Sequence, residues 1–156
     1  MKTWVIIILS FILAAILTIL PLPGWLAWFR PQWLMLILIY WLIIMPEHIG
    51  FAFAWCCGLI ADLLNSTLLG EHALAFIIIA YITLKLHRQI RLFPVWQQAM
   101  VIFVLTLIMH TLLTSTQKLL GQSNDMRFWL SSIMDFLIWP IIWGLLNMTQ
   151  RRIRIY

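Results

Sequence analysis

The sequence predicts an all-α polytopic membrane protein: a compact bundle of six transmembrane helices with both termini in the cytoplasm. Three observations carry this. Apolar residues make up 64% of the 156-residue chain and charged residues 10%, against roughly 45–50% and 25% in soluble domains, and mean hydropathy is +1.02. The apolar residues fall in runs long enough to cross a bilayer core of roughly 30 Å, which takes about 20 helical residues. The basic residues cluster in short groups around those runs. A chain this oily exceeds what a globule of its size can bury. A soluble enzyme, a disordered tail and a nucleic-acid-binding domain are excluded, the last in spite of a net charge of +5.

The helices are expected at about 3–20, 31–46, 49–65, 71–87, 94–116 and 128–149, forming one integral membrane domain over 1–156. In the first, Lys2 is followed by 27 uncharged residues. The run ends in Pro21-Leu22-Pro23-Gly24 before bulky Trp25, without the small-residue cleavage site of a secretory signal, so it is read as a retained helix. The second is short. Pro46 and Gly50 bracket a tight turn before the third. Asn65-Ser66-Thr67-Leu68-Leu69-Gly70 forms the next turn, and Pro94 opens the fifth helix, where a missing N–H costs little. Six helices use about 120 residues, so no extramembrane domain fits. Cys56 and Cys57 are the only cysteines. Adjacent helical residues point about 100° apart, so the pair is read as structural, not metal-binding.

Charge sets the orientation. With six spans and a cytoplasmic N-terminus, Lys2, Lys85, Arg88, Arg91, Arg151, Arg152 and Arg154 lie inside and Arg30, Lys118 and Arg127 outside. Lys and Arg favour the cytoplasmic side. The inner clusters are expected to attract anionic membrane lipids, at about 1 kcal/mol per residue near the surface. Trp25, Trp28, Trp33 and Trp129 fall at the proposed outer interface, as aromatic belts do.

Polar residues within spans are costly and tend to have a use. Asp62 sits just before the third turn and can accept N–H bonds from it and from the start of the fourth helix; a partner- or ion-binding role is the alternative. Asp135 lies about 10 Å into the sixth helix, with Ser131 one turn earlier and Pro140 following. Gln98, Thr106, His110, Thr114 and Gln117 form a stripe on the fifth helix, read as interhelical hydrogen bonding. A path joining Asp62, His110 and Asp135 is the sharper reading. Gly50, Ala54 and Gly58 form a ladder of small residues that lets a helix approach closely, either inside the bundle or from a partner. No HExxH, P-loop, GxSxG or Cys-His zinc spacing occurs, so no enzyme, cofactor or metal is expected.

Gly58-Leu59-Ile60-Ala61-Asp62-Leu63 followed by Leu69-Gly70 resembles the G-x-x-x-D-L…G core of the bacterial rod shape-determining protein family MreD. Phe29-Arg30-Pro31-Gln32-Trp33 resembles the family's R-P-x-W entry to its second helix. Trp96-Gln97-Gln98-Ala99, Phe128-Trp129 and Trp139-Pro140 match the fifth and last helices. Relatives often carry Gly where this chain has Ser66; neighbouring Asn65, tolerant of left-handed backbone, is expected to take over the turn. The resemblance implies a non-catalytic scaffold of the cell-elongation complex in the inner membrane. It would bind MreC directly and help couple MreB filaments to RodA and a penicillin-binding transpeptidase. Asp62, Gly58, Gly70, Arg30, Pro31, Trp33, His110 and Asp135 are the structural or interaction candidates. A likeness of this family to the substrate-binding subunits of energy-coupling-factor transporters supplies the alternative, a small-molecule or lipid-binding transport component.

Overall fold

The computed structural model describes residues 2–121 and 128–154. It holds six helices, α1 (Lys2–Ile19), α2 (Trp33–Ile44), α3 (Phe51–Asn65), α4 (Glu71–Leu92), α5 (Val95–Leu119) and α6 (Phe128–Arg154), with a 3-10 turn at Leu26–Phe29 before α2. Among the described residues there is no strand. The chain is a helical membrane protein.

The shortest helix is the centre. Every residue from Leu34 to Ile43 is buried. A helix apolar on all sides has no face suited to water and is buried in the bundle. Packing around α2 comes from α1, α4 and α6. Trp41 Nε1 donates to Ser10 Oγ of α1 at 2.9 Å, and Tyr40 meets Trp143 of α6 edge-on, with ring centroids 5.3 Å apart. The outer helices turn Leu9, Leu13, Leu63, Leu74 and Leu145 outwards, each more than half exposed. That is the pattern of a lipid-facing surface.

Among the described residues, four stretches are long and apolar enough to cross a membrane: Ala27–Ile44, Glu71–Leu92, Val95–Leu119 and Trp129–Gln150. Thr3–Ile19 and Phe51–Asn65 are shorter apolar helices. The 15 residues of α3 reach about 22 Å, less than the bilayer core. Local thinning or flanking residues absorb such a mismatch at modest cost.

Long-range contacts sort the connections to two ends. Arg30 and Gln32 bond to α6 near its start, and Glu71 at the start of α4 bonds Thr116 near the end of α5. The α1–α2 and α3–α4 connections therefore share one end with the end of α5, called here the distal end. At the proximal end, Trp4 meets His48 of the α2–α3 turn edge-on at 6.2 Å. The start of α1 and the end of α6 lie on this proximal side.

Several boundaries differ from the sequence expectation. α4 runs to Leu92, so Arg88 and Arg91 project from its last turns instead of from a loop. Gln98 explains where α4 stops: its Nε2 donates to the carbonyls of Ile90 and Phe93 at 3.1 Å each, capping α4 from α5. Gln98 thus serves the proximal end and not the distal part of the α5 stripe. α6 continues as helix through Pro140 to Arg154, so the basic tail extends a helix. Arg127 lies outside the described residues.

Candidate functional site

The distal end carries most of the buried polar side chains, and they form two clamps. The first closes the α3–α4 hairpin. α3 ends where Ser66 adopts a left-handed conformation at φ 53°, and Gly70 does so at φ 103° before α4 begins. This tight turn leaves N–H groups without helical partners, as helix starts do. Asp62, fully buried, collects them. Its Oδ2 accepts from Gly70 N–H at 2.7 Å, and its Oδ1 from His72 N–H at 2.8 Å and Thr67 Oγ1–H at 3.0 Å. His72 Nδ1 lies 2.8 Å from the same Oδ1. The carboxylate accepts from all of these groups, so Nδ1 is the protonated ring nitrogen, as assigned from the network.

One glycine makes the geometry possible. A Cβ added to Gly58 would lie 2.3 Å from Ala73 Cα and 2.7 Å from Ala73 N. The backbones of α3 and α4 therefore touch one turn from Asp62, which brings His72 within reach of the carboxylate. The small-residue ladder is an internal contact at Gly58 and Ala54, which is fully buried, while Gly50 has open space around it.

The second clamp docks the segment before α2 onto α6. Ser131 Oγ donates to the Arg30 carbonyl at 2.6 Å, and Gln32 N–H donates to Asp135 Oδ1 at 2.9 Å. Ser131 and Asp135 are four residues apart and share a helix face. Pro31 sits between the two bonded residues and has no N–H to satisfy. Arg30 is extended, and a bond of 3.0 Å from Trp33 N–H to the Pro31 carbonyl turns the chain at Gln32 into α2. Asp135 is as fully buried as Asp62, yet its Oδ2 has no hydrogen-bond partner among the described residues, and neither has Arg30 Nε. Next to this clamp, Ser132 Oγ lies 3.1 Å from His110 Nδ1, which also bonds the Thr106 carbonyl at 2.8 Å, tying α5 to α6.

The family model described as rod shape-determining protein MreD matches residues 1–149. The chain belongs to the MreD family. The Haemophilus influenzae rod shape-determining protein MreD is 26% identical over 164 residues, covering 98% of this chain and 95% of that protein. No solved structure matches the chain. As an MreD-family protein it is a multi-pass protein of the bacterial inner membrane and is involved in rod-shape determination.

Two of the MreD-like motifs, Gly58–Gly70 and Arg30–Trp33, fall at the two clamps. Gly58, Asp62 and Gly70 form the hairpin clamp. Arg30 and Gln32, on either side of Pro31 and just before Trp33, bond Ser131 and Asp135 in the second, with His110 beside it through Ser132. Asp62 bonds Thr67, Gly70 and His72, Asp135 bonds Gln32, and His110 bonds the Thr106 carbonyl and Ser132. The expectation for Asn65 is corrected. Asn65 remains helical and its Nδ2 bonds the Ala61 carbonyl at 2.8 Å, while Ser66 itself takes the left-handed position. His72 and Thr67 were not among the expected site residues, although Thr67 lay within the recognised turn and His72 just beyond it. Among the described residues no group of three His, Cys, Asp or Glu is placed to hold a metal.

Proposed function

We propose that this MreD-family protein is a non-catalytic scaffold of the cell-elongation complex, binding the bitopic protein MreC and helping couple cytoplasmic MreB filaments to RodA and a penicillin-binding transpeptidase. The observation that carries the reading is how the site spends its polar groups. Asp62, His72, Thr67, Ser131 and Asp135 bond backbone or one another across helix boundaries. They hold the bundle together. Family membership over nearly the whole chain supplies the biological setting.

Detergent co-purification tests it: the tagged protein is expected to retain MreC through extraction, and depletion to give round cells. A protein that leaves MreC behind while still folded contradicts the reading. The orientation belongs to the same proposal, with the proximal end in the cytoplasm. A reporter fused at the C-terminus should read inside and one inserted near Gly70 outside. An outside signal at the C-terminus overturns the arrangement.

A further inference from the structure

The outer face of α4 carries two cations within a stripe of lipid-facing side chains. Steps of four and three put Leu74, Ile78, Tyr81, Lys85, Arg88 and Leu92 on one side of the helix, away from the buried Phe76, Ile79, Ala80 and Thr83. All six are exposed. The stripe is apolar on both sides of the pair. Tyr81 precedes it, Leu92 follows at 86% exposure, and Trp96 at the start of α5 is 77% exposed. Lys85 and Arg88 are thus flanked by side chains that avoid water, unlike the charges of a solvated loop. They are neighbours at a spacing of three, where like charges repel. Among the described residues neither forms an ion pair with a carboxylate. The helix dipole accounts for Arg91, in the last turn of α4, but its effect fades beyond that turn and does not reach Lys85 and Arg88.

Depth selects the counter-ion. From Glu71, at the distal start of α4, to Lys85 is about 21 Å at about 1.5 Å per residue, short of a bilayer core of roughly 30 Å. The neighbouring α3 reaches about 22 Å and begins at Phe51, whose ring lies against Tyr81 with centroids 6.5 Å apart, one turn before Lys85. Two adjacent helices therefore put the proximal edge of the hydrocarbon at the same level. We propose that Lys85 and Arg88 form a site for the phosphate of an anionic glycerophospholipid in the proximal leaflet, which holds the membrane thin against the α3–α4 face. Headgroup phosphates are the anions found at the edge of the hydrocarbon, where long Lys and Arg side chains extend toward them. A phosphate between the two cations relieves their repulsion through charge-assisted hydrogen bonds. The acyl chains of the same lipid lie along Leu74, Ile78 and Tyr81. An acidic protein segment fits less well, because it has to enter between Tyr81 and Leu92, against apolar side chains on both sides. The site does not rest on the scaffold reading.

The test uses the full chain purified in detergent, with phosphatidylglycerol and phosphatidylcholine of the same acyl chains as probes and bound lipid counted by native mass spectrometry. The parent is expected to retain phosphatidylglycerol over phosphatidylcholine. Lys85→Gln combined with Arg88→Gln should lower the phosphatidylglycerol affinity about thirtyfold, about fivefold for each charge, while Lys85→Arg and Arg91→Gln each stay within about twofold of the parent. Thermal melting shows whether each variant remains folded. If the double variant melts out, a photoreactive phosphatidylglycerol on the parent decides, with label expected on the 81–92 stretch of α4. Equal retention of the two lipids is the outcome expected if the pair instead meets an acidic protein segment, and it overturns the site. So does unchanged retention in a folded double variant, a loss in Arg91→Gln as large as in the double variant, or label spread evenly over the bundle.

Discussion

Asp62 and Asp135 occupy the same end of the same bundle, and both are fully buried, yet they are used differently. Asp62 accepts bonds from two backbone N–H groups, a hydroxyl and an imidazole. Asp135 accepts one, and its second oxygen has no partner among the described residues. Sequence distance explains the contrast. Asp62 closes a hairpin in which every donor lies within ten residues, so one turn can deliver several N–H groups together. Asp135 holds a segment 103 residues away, where Pro31 removes one donor and only Gln32 offers its N–H. A buried carboxylate is thus either a hub for a local turn or a single peg for a distant strap, and the number of donors left stranded on its removal sets its weight.

The hub depends on Gly58, where the largest effect is expected. Gly58→Val should abolish accumulation, and Gly58→Ala should cost about 3 kcal/mol, because the displaced neighbour is Ala73 backbone and cannot rotate away. Thermal melting in detergent reads the second; a Gly58→Ala protein that melts like the parent would mean that α3 and α4 do not touch there. At the hub itself, Asp62→Asn should cost about 1–2 kcal/mol, since the amide keeps one acceptor but cannot serve all the donors.

Ser66→Gly sharpens the picture in the other direction. Ser66 has φ 53°, and a side chain there costs about 1 kcal/mol that glycine avoids. The variant should melt later than the parent. An unchanged or lower melting temperature would mean that Ser66 gains more from its side chain than it loses in backbone strain. The smallest effect is expected at the peg. Asp135→Asn retains an oxygen for Gln32 N–H and changes only the unpartnered position, so its cost should stay within about 1 kcal/mol. Equal penalties for Asp62→Asn and Asp135→Asn would remove the distinction between hub and peg.

Local chemistry was legible in the sequence and remote chemistry was not. The six helices follow from apolar runs and their breakers. The bond from the Asp62 carboxylate to the following turn follows from a carboxylate placed just before a run of turn residues. His72 escaped because an imidazole at a helix start is ordinary, and only the backbone contact at Gly58 brings it to Asp62. Ser66 lost to Asn65 in the reading because left-handed propensity favours Asn, whereas the register of α3 decides which residue stands at the cap. The strap was visible as Arg30-Pro31-Gln32-Trp33, but nothing local says that its carbonyl and N–H meet Ser131 and Asp135. The central place of α2 was half legible: a helix with no polar face must be enclosed, but its neighbours are a matter of tertiary packing.

The central claim is that Asp62 holds the hairpin while partner capture happens elsewhere. The most direct measurement compares Asp62→Leu with the parent for membrane abundance, folded fraction and MreC retained per folded molecule. Leucine strands the N–H groups of Gly70 and His72 and the Thr67 hydroxyl, each at about 1–3 kcal/mol. Abundance and folded fraction should therefore fall, with MreC per folded molecule unchanged. Normal abundance and folding together with lost MreC capture would contradict the account and place Asp62 on the interaction surface.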